Sequence, residues 1–175
     1  MLTYFGITSV LAVGGLLLYA ARKPDTFRIE RSIHINAPAE KIFPYINDFR
    51  RWIDWSPWET IDPALKRRHR GAPNGLGALY EWEGNNKVGQ GHMEILESTP
   101  PSKVVIQLDF IKPFAARNRA DFTLEPKDGR TEVTWAMHGP HPFMMRVMSV
   151  VMNMDKTVGK NFEAGLANLK ALSEK

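Results

Sequence analysis

Between residues 64 and 138 the chain alternates stretches rich in strand formers with turn-forming breaks. This rhythm restricts the fold more than any other feature. The stretches are Ala64 to Arg70, Ala78 to Glu83, Val88 to Glu97, Lys103 to Phe110, Arg117 to Glu125 and Thr131 to His138. Asn74-Gly75, Gly84-Asn85-Asn86, Pro100-Pro101 and Asp128-Gly129 separate them, and such breaks at spacings of roughly ten residues mark hairpin turns. The pattern is that of a meander, so the predicted sheet is antiparallel.

A further strand is expected at the start of the folded region. Phe27, Ile29, Arg31, Ile33 and Ile35 alternate with Arg28, Glu30, Ser32 and His34, the period of a half-buried strand. A helix opening at Pro38 follows, with Asn36 as its cap, and Pro44 and Asn47-Asp48 are expected to cut it short. From Pro142 onward Met148, Val151, Met152, Phe162, Leu166 and Leu169 recur at three and four residues. This spacing predicts an amphipathic helix of about 30 residues, with Gly159 and Gly165 serving close packing or a bend.

The first 21 residues form a separate object. Leu2 to Ala21 carries no charge and ends at Arg22-Lys23, and roughly 20 apolar residues suffice for a helix to cross a bilayer. A cleaved signal peptide is the competing reading, but its basic residues would precede the apolar run rather than follow it. The expected organisation is therefore a transmembrane anchor over residues 2–21, a linker over 22–26 and one domain over 27–175. Arg22, Lys23, Arg28 and Arg31 all follow the apolar run, so the positive-inside tendency puts that domain on the cytoplasmic side.

The order strand, helix, meander, long helix is that of a helix-grip α+β fold, a curved antiparallel sheet of six to seven strands around a C-terminal helix. Three runs carry a family likeness: residues 35–48 (INAPAEKIFPYIND), residues 52–58 (WIDWSPW) and residues 161–170 (NFEAGLANLK). On these the soluble part resembles the SRPBCC superfamily, in its polyketide cyclase/dehydrase and lipid-transport-like branch. The resemblance implies a cavity between sheet and helix. It does not fix the function, because the superfamily includes lipid carriers, ligand binders and cyclases.

Trp52, Trp55 and Trp58 lie within seven positions and are expected to wall the cavity and gate it, together with the loops around Phe114 and Pro140. Inward faces of the sheet and long helix would supply Tyr45, Trp55, Trp58, Tyr80, Trp82, Met93, Phe110, Phe122, Trp135, Met144, Met148 and Phe162 as ligand-binding residues. For any one of them ordinary core packing is the alternative. Five of the eight methionines fall between Met144 and Met154, which suits either an adaptable ligand surface or an irregular core. Asp155 is read two ways, as a cap where the helix breaks or as a desolvated acid in the apolar stripe. If the cavity is catalytic, Asp155, His92, Asp121 and Glu81 are the candidate acids and bases.

The chain has no cysteine, and its five histidines include only one close pair, His138 and His141, so no metal site is expected. No nucleotide or hydrolase motif occurs, so no cofactor is expected. The net charge of +4 is spread among acidic residues, and the one basic run, Lys66 to Arg70, lies on a strand whose alternate residues face opposite ways. Nucleic acid is accordingly not an expected partner. The favoured reading is a membrane-anchored binding protein for a lipid, isoprenoid or aromatic metabolite, with the bilayer as its second partner. A cyclase, dehydratase or hydrolase using the same cavity, or a partner-binding module, are the alternatives.

Overall fold

A computed structural model describes residues 14–175. Helix α1, helical over residues 14–22, leads to β1 (Thr26–Ile35), α2 (Ala39–Asn47) and two 3-10 turns, Phe49–Asp54 and Pro57–Thr60. Strands β2 (Lys66–Gly71), β3 (Ala78–Glu83), β4 (Gln90–Thr99), β5 (Lys103–Lys112), β6 (Ala116–Lys127) and β7 (Arg130–Pro140) follow, then α3 (Phe143–Val151) and α4 (Met154–Ser173). The strands form one antiparallel sheet in the order β1-β7-β6-β5-β4-β3-β2. β1 and β2 are thus its two edges, and α2 with the two turns carries the chain from one edge to the other.

The period of two along each strand sorts the sheet into an apolar face and a charged one. Ile29 and Ile35 of β1, Tyr80 and Trp82 of β3, Ile106 of β5, Phe122 of β6 and Trp135 of β7 are buried on the inner face. Ile42, Phe43 and Ile46 of α2 and Phe162, Leu166 and Leu169 of α4 close the same core. Register sets Trp135 opposite Phe122 on β6, and the rings stack at 4.8 Å. Phe162 of α4 lies parallel on Trp135 at 4.2 Å and 7°, which fixes the helix on the sheet. Each such side chain contributes roughly 1.5–3 kcal/mol by burial.

The outer face pairs its charges across strands. Lys66 lies 3.6 Å from Glu83, Arg68 and Arg70 lie 3.8 and 3.4 Å from Glu81, His138 bonds Asp121 at 2.8 Å, and Arg117 bonds Asp109 at 2.9 Å. The basic run splits as alternation requires, with Arg67 and His69 on the other face and partly buried.

Two expected elements differ in the structure. Pro44 lies inside α2 rather than ending it, and the N-cap position is Pro38, with no side-chain cap. Asn36 instead donates its backbone N–H to the Glu174 carboxylate at 2.7 Å. The expected C-terminal helix of about 30 residues is two helices, because the backbone leaves helical geometry at Met152 and Asn153. The Asn153 side chain accepts from the Lys156 N–H at 2.9 Å and caps α4.

Gly159 and Gly165 serve close packing. A Cβ at Gly159 would stand 2.0 Å from the Arg31 guanidinium, and one at Gly165 would stand 3.0 Å from the Trp135 ring. Among the described residues no helix is long and apolar enough to cross a membrane. The expected anchor over residues 2–21 lies for its first twelve residues outside the described residues.

Candidate functional site

Between the inner face of the sheet and α4 lies a cavity of about 370 Å³. Its wall begins with β3, where Tyr80 and Trp82 project inward, and continues through Met93 of β4 and Ile106, Leu108 and Phe110 of β5. Ala120, Trp135 and Met137 line it from β6 and β7, and Val158 and Phe162 cover it from α4. The exposed lining residues Asn86 and Lys87, in the loop after β3, and Lys112 and Pro113, where β5 ends, lie at one end of the sheet. That end is the mouth.

A single glycine lets Trp82 lie flat across the wall. A Cβ at Gly91 would fall 2.5 Å from the Trp82 ring and 2.4 Å from the Asp109 carbonyl, so only glycine fits between them. The Trp82 ring meets Phe110 edge-on at 5.8 Å, and its indole N–H donates to the Val88 carbonyl at 3.4 Å.

The buried Ser56 and Glu59 interrupt the apolar lining. The turn Pro57–Thr60 brings Glu59, only 8% exposed, against the inner end of edge strand β2. There Glu59 accepts from the Tyr80 hydroxyl at 2.7 Å and from Arg67 Nε at 2.5 Å, while Arg67 Nη2 donates to the Glu59 carbonyl at 2.8 Å. A buried carboxylate is tolerable only when paired and hydrogen-bonded, and this one is both. Burial, and then the bond to Glu59, push the Tyr80 phenol above its ordinary range, so it stays protonated as a donor. Both carboxylate oxygens already accept a bond, and lone pairs remain for a ligand hydroxyl.

The second polar feature is an N–H without a partner. Trp135, 3% exposed and part of the cavity wall, has its indole Nε1 buried and unbonded. Its benzo edge faces Gly165 on α4, and Trp52 and Trp55 by contrast donate to the Ile46 and Tyr45 carbonyls at 3.0 Å each. A buried unpaired donor costs about 1–3 kcal/mol.

Of the twelve residues expected to bind ligand, Trp58, Tyr80, Trp82, Met93, Phe110, Trp135 and Phe162 line the cavity. Trp55 and Phe122 are buried within the core behind it, and Tyr45 lies under the Arg51 guanidinium at 3.7 Å. Met144 and Met148 are exposed on α3, 69% and 42%, and do not line it. Trp52 and Trp55 are 5% and 1% exposed, too deep to gate anything, because they fill the angle between the turns, Phe122 and Trp135.

None of the expected acids and bases reaches the cavity. Glu81, His92 and Asp121 project from the outer face, where Glu81 lies 3.8 Å from Arg68, His92 lies 3.3 Å from Asp109 and Asp121 bonds His138 at 2.8 Å. Asp155 lies in the first turn of α4 with Arg31 3.0 Å away, and that contact holds its carboxyl below the usual carboxylate range. Trp52, expected in the wall, does line the cavity, whereas sequence reasoning overlooked Ser56, Glu59, Leu65, Val88, Ile106, Leu108, Ala120, Met137 and Val158. For Leu108 and Met137 the alternation with Phe110 and Trp135 was the available signal. Among the described residues no three His, Asp or Glu side chains are grouped to hold a metal ion.

The profile of a family described as polyketide cyclase / dehydrase and lipid transport matches residues 26–174. No curated protein matches by sequence. Among solved structures, protein CV1439 from Chromobacterium violaceum aligns over 87% of this chain and 99% of its own, at 16% identity and a TM-score of 0.59. The Aha1 dimer from Colwellia psychrerythraea aligns over 85% and 96%, at 15% identity and 0.59. The di-domain ARO/CYC BexL from the BE-7585A biosynthetic pathway covers 99% of this chain, at 13% identity and 0.64, while the chain spans 58% of its length. At such identities these likenesses concern the fold. With the profile covering nearly all of the folded region, the chain belongs to the polyketide cyclase/dehydrase and lipid transport family.

Proposed function

We propose that the protein binds a hydrophobic small molecule, a lipid, isoprenoid or aromatic metabolite, in the cavity beneath α4. The observation that carries this reading is the lining itself, in which aromatic and aliphatic side chains surround about 370 Å³ and leave only a few polar groups. Pockets of that composition hold apolar ligands and orient them with sparse hydrogen bonds. Glu59, in the cavity wall, would serve as acceptor for a hydroxyl on an otherwise apolar ligand. Membership in a family that includes lipid transport supports the same reading. The uncharged run from Leu2 to Ala21 would anchor the chain in the bilayer, where such ligands concentrate.

A cyclase or dehydratase activity is the second reading, favoured by one observation: Glu59 and the protonated Tyr80 adjoin in the cavity wall. Binding ranks first because both Glu59 oxygens are engaged and the surrounding charge is already balanced by Arg67.

Energy transfer from the cavity tryptophans to N-phenyl-1-naphthylamine, a neutral apolar fluorophore, tests the binding reading on the full chain in lipid nanodiscs. Saturable sensitised emission is expected from the native protein. The double variant Ala120→Leu with Val158→Phe, which fills the cavity, should lose it. An unsaturable rise that is the same in both would mean only partition into lipid, and would refute the reading.

A further inference from the structure

The antiparallel order brings the start of β1, β4 and β6 and the end of β3, β5 and β7 to one end of the sheet. The cavity mouth lies there, between the loop of residues 84–89 and the turn that follows β5. So do α1 and α3. Among the described residues every exposed large apolar side chain except Ile53, Leu76 and Leu96 is carried by α1, α3, the residue that follows α3, the end of β5, or the β5–β6 turn. Leu18, Phe114 and Met144 are 69%, 68% and 69% exposed. Soluble surfaces do not concentrate apolar area in this way unless something covers it.

Helix α3 is the clearest case. Its sequence is Phe143-Met-Met-Arg-Val-Met-Ser-Val-Val151, and none of its described side chains belongs to the hydrophobic core. It is nevertheless held firmly to α1. Lys23 Nζ donates to the Ser149 carbonyl and hydroxyl at 3.1 and 3.0 Å, and Arg146 Nη1 donates to the Lys23 and Ala21 carbonyls at 3.0 and 3.3 Å. Residues 21–23 are thereby held against α3, at the end of the sheet where the mouth opens. At this end of the sheet Arg22, Lys87 and Lys112 are exposed and make no ion pair among the described residues, and Asp25 is likewise exposed and unpaired among them.

We infer that this end of the molecule is a membrane-docking surface, in which α3 and the β5–β6 turn enter the interface of an anionic bilayer and hold the cavity mouth against it. Apolar side chains flanked by cations are what such an interface takes up. The methionines of α3, which do not line the cavity, thereby acquire a role as flexible side chains among acyl chains. A ligand would pass between bilayer and cavity past Lys87 and Lys112 without crossing water. The inference rests on the anchored reading for bringing the chain to a membrane, and adds which face meets it.

The absence of cysteine makes the test direct. Single cysteines at Met148→Cys and Phe114→Cys, with Asp128→Cys in the turn at the opposite end as control, would carry an environment-sensitive nitrobenzoxadiazole label. The full chain is reconstituted in vesicles of phosphatidylcholine and phosphatidylserine, with melting curves confirming that each variant is folded. Labels at 148 and 114 should shift to the blue and be quenched several-fold more than that at 128 by nitroxide lipids. Labels at 148 and 114 that remain in water while the chain sediments with the vesicles overturn the inference and leave the anchor standing. Labels that leave water yet escape the lipid quencher overturn it too, because protein then covers the edge. A chain that does not sediment overturns both.

Discussion

The Tyr80 hydroxyl is the residue-scale hinge of the cavity, since it links the buried Glu59 carboxylate to the apolar wall. Replacing it by Tyr80→Phe would leave one Glu59 oxygen short of a donor in a buried site and should cost about 2 kcal/mol, measured by urea denaturation. Because the folded pKa of Tyr80 is raised above its unfolded value near 10, its stabilisation is present below about pH 10 and fades as the phenol ionises. In absorbance titration Tyr80 should resist ionisation until the protein unfolds, whereas Tyr80→Phe should remove that late phase. A Tyr80 that ionises with the exposed tyrosines would show the Glu59 bond to be absent in solution. Tyr80 and Trp82 could be read from alternation on β3, but Glu59 could not. Its position depends on a 3-10 turn meeting an edge strand, and its bonding partners Arg67 and Tyr80 are 8 and 21 residues away.

At the scale of elements, the crossing of α4 over β1 depends on Gly159. Arg31 reaches over that glycine to Glu163 at 2.7 Å and to Asp155 at 3.1 and 3.0 Å. Gly159→Ala should destabilise by about 1–2 kcal/mol despite the better helix propensity of alanine, because the guanidinium would be displaced. Combined with Arg31→Ala, the same substitution should become nearly neutral, and a double-mutant cycle reads the difference. The Asp155 contact is pH-dependent in a known direction. Its folded pKa lies below the unfolded value near 3.9, so its contribution is present above that value and is lost as pH falls through the folded pKa. Asp155→Asn should therefore lower stability at pH 7 by less than about 1 kcal/mol, given that its side chain is 60% exposed, and the gap should close in acid. The strands were legible because alternation and turn pairs are local signals. The division between α3 and α4 was not, since apolar spacing continues across Met152 and Asn153 and only the backbone reveals that Asn153 caps a new helix.

For the whole molecule, the sheet order, the cavity and the exposed apolar edge belong to one arrangement. The order of strands and helices in the sequence sufficed to anticipate a helix-grip fold, and register then determined which aromatics became wall and which became core. Trp55 and Trp58 stand three positions apart, yet the first is sealed behind Trp135 and the second borders the cavity. No composition argument distinguishes them, because the difference lies in how the Pro57–Thr60 turn meets α4. Native mass spectrometry of the full chain, gently extracted from membranes, alongside its cavity-filled variant, tests whether the cavity holds an apolar ligand. A reproducible apolar small molecule bound to the native protein and missing from the Ala120→Leu, Val158→Phe variant is the predicted result. A native protein that is repeatedly empty, or a bound mass that survives in the filled variant, would contradict it.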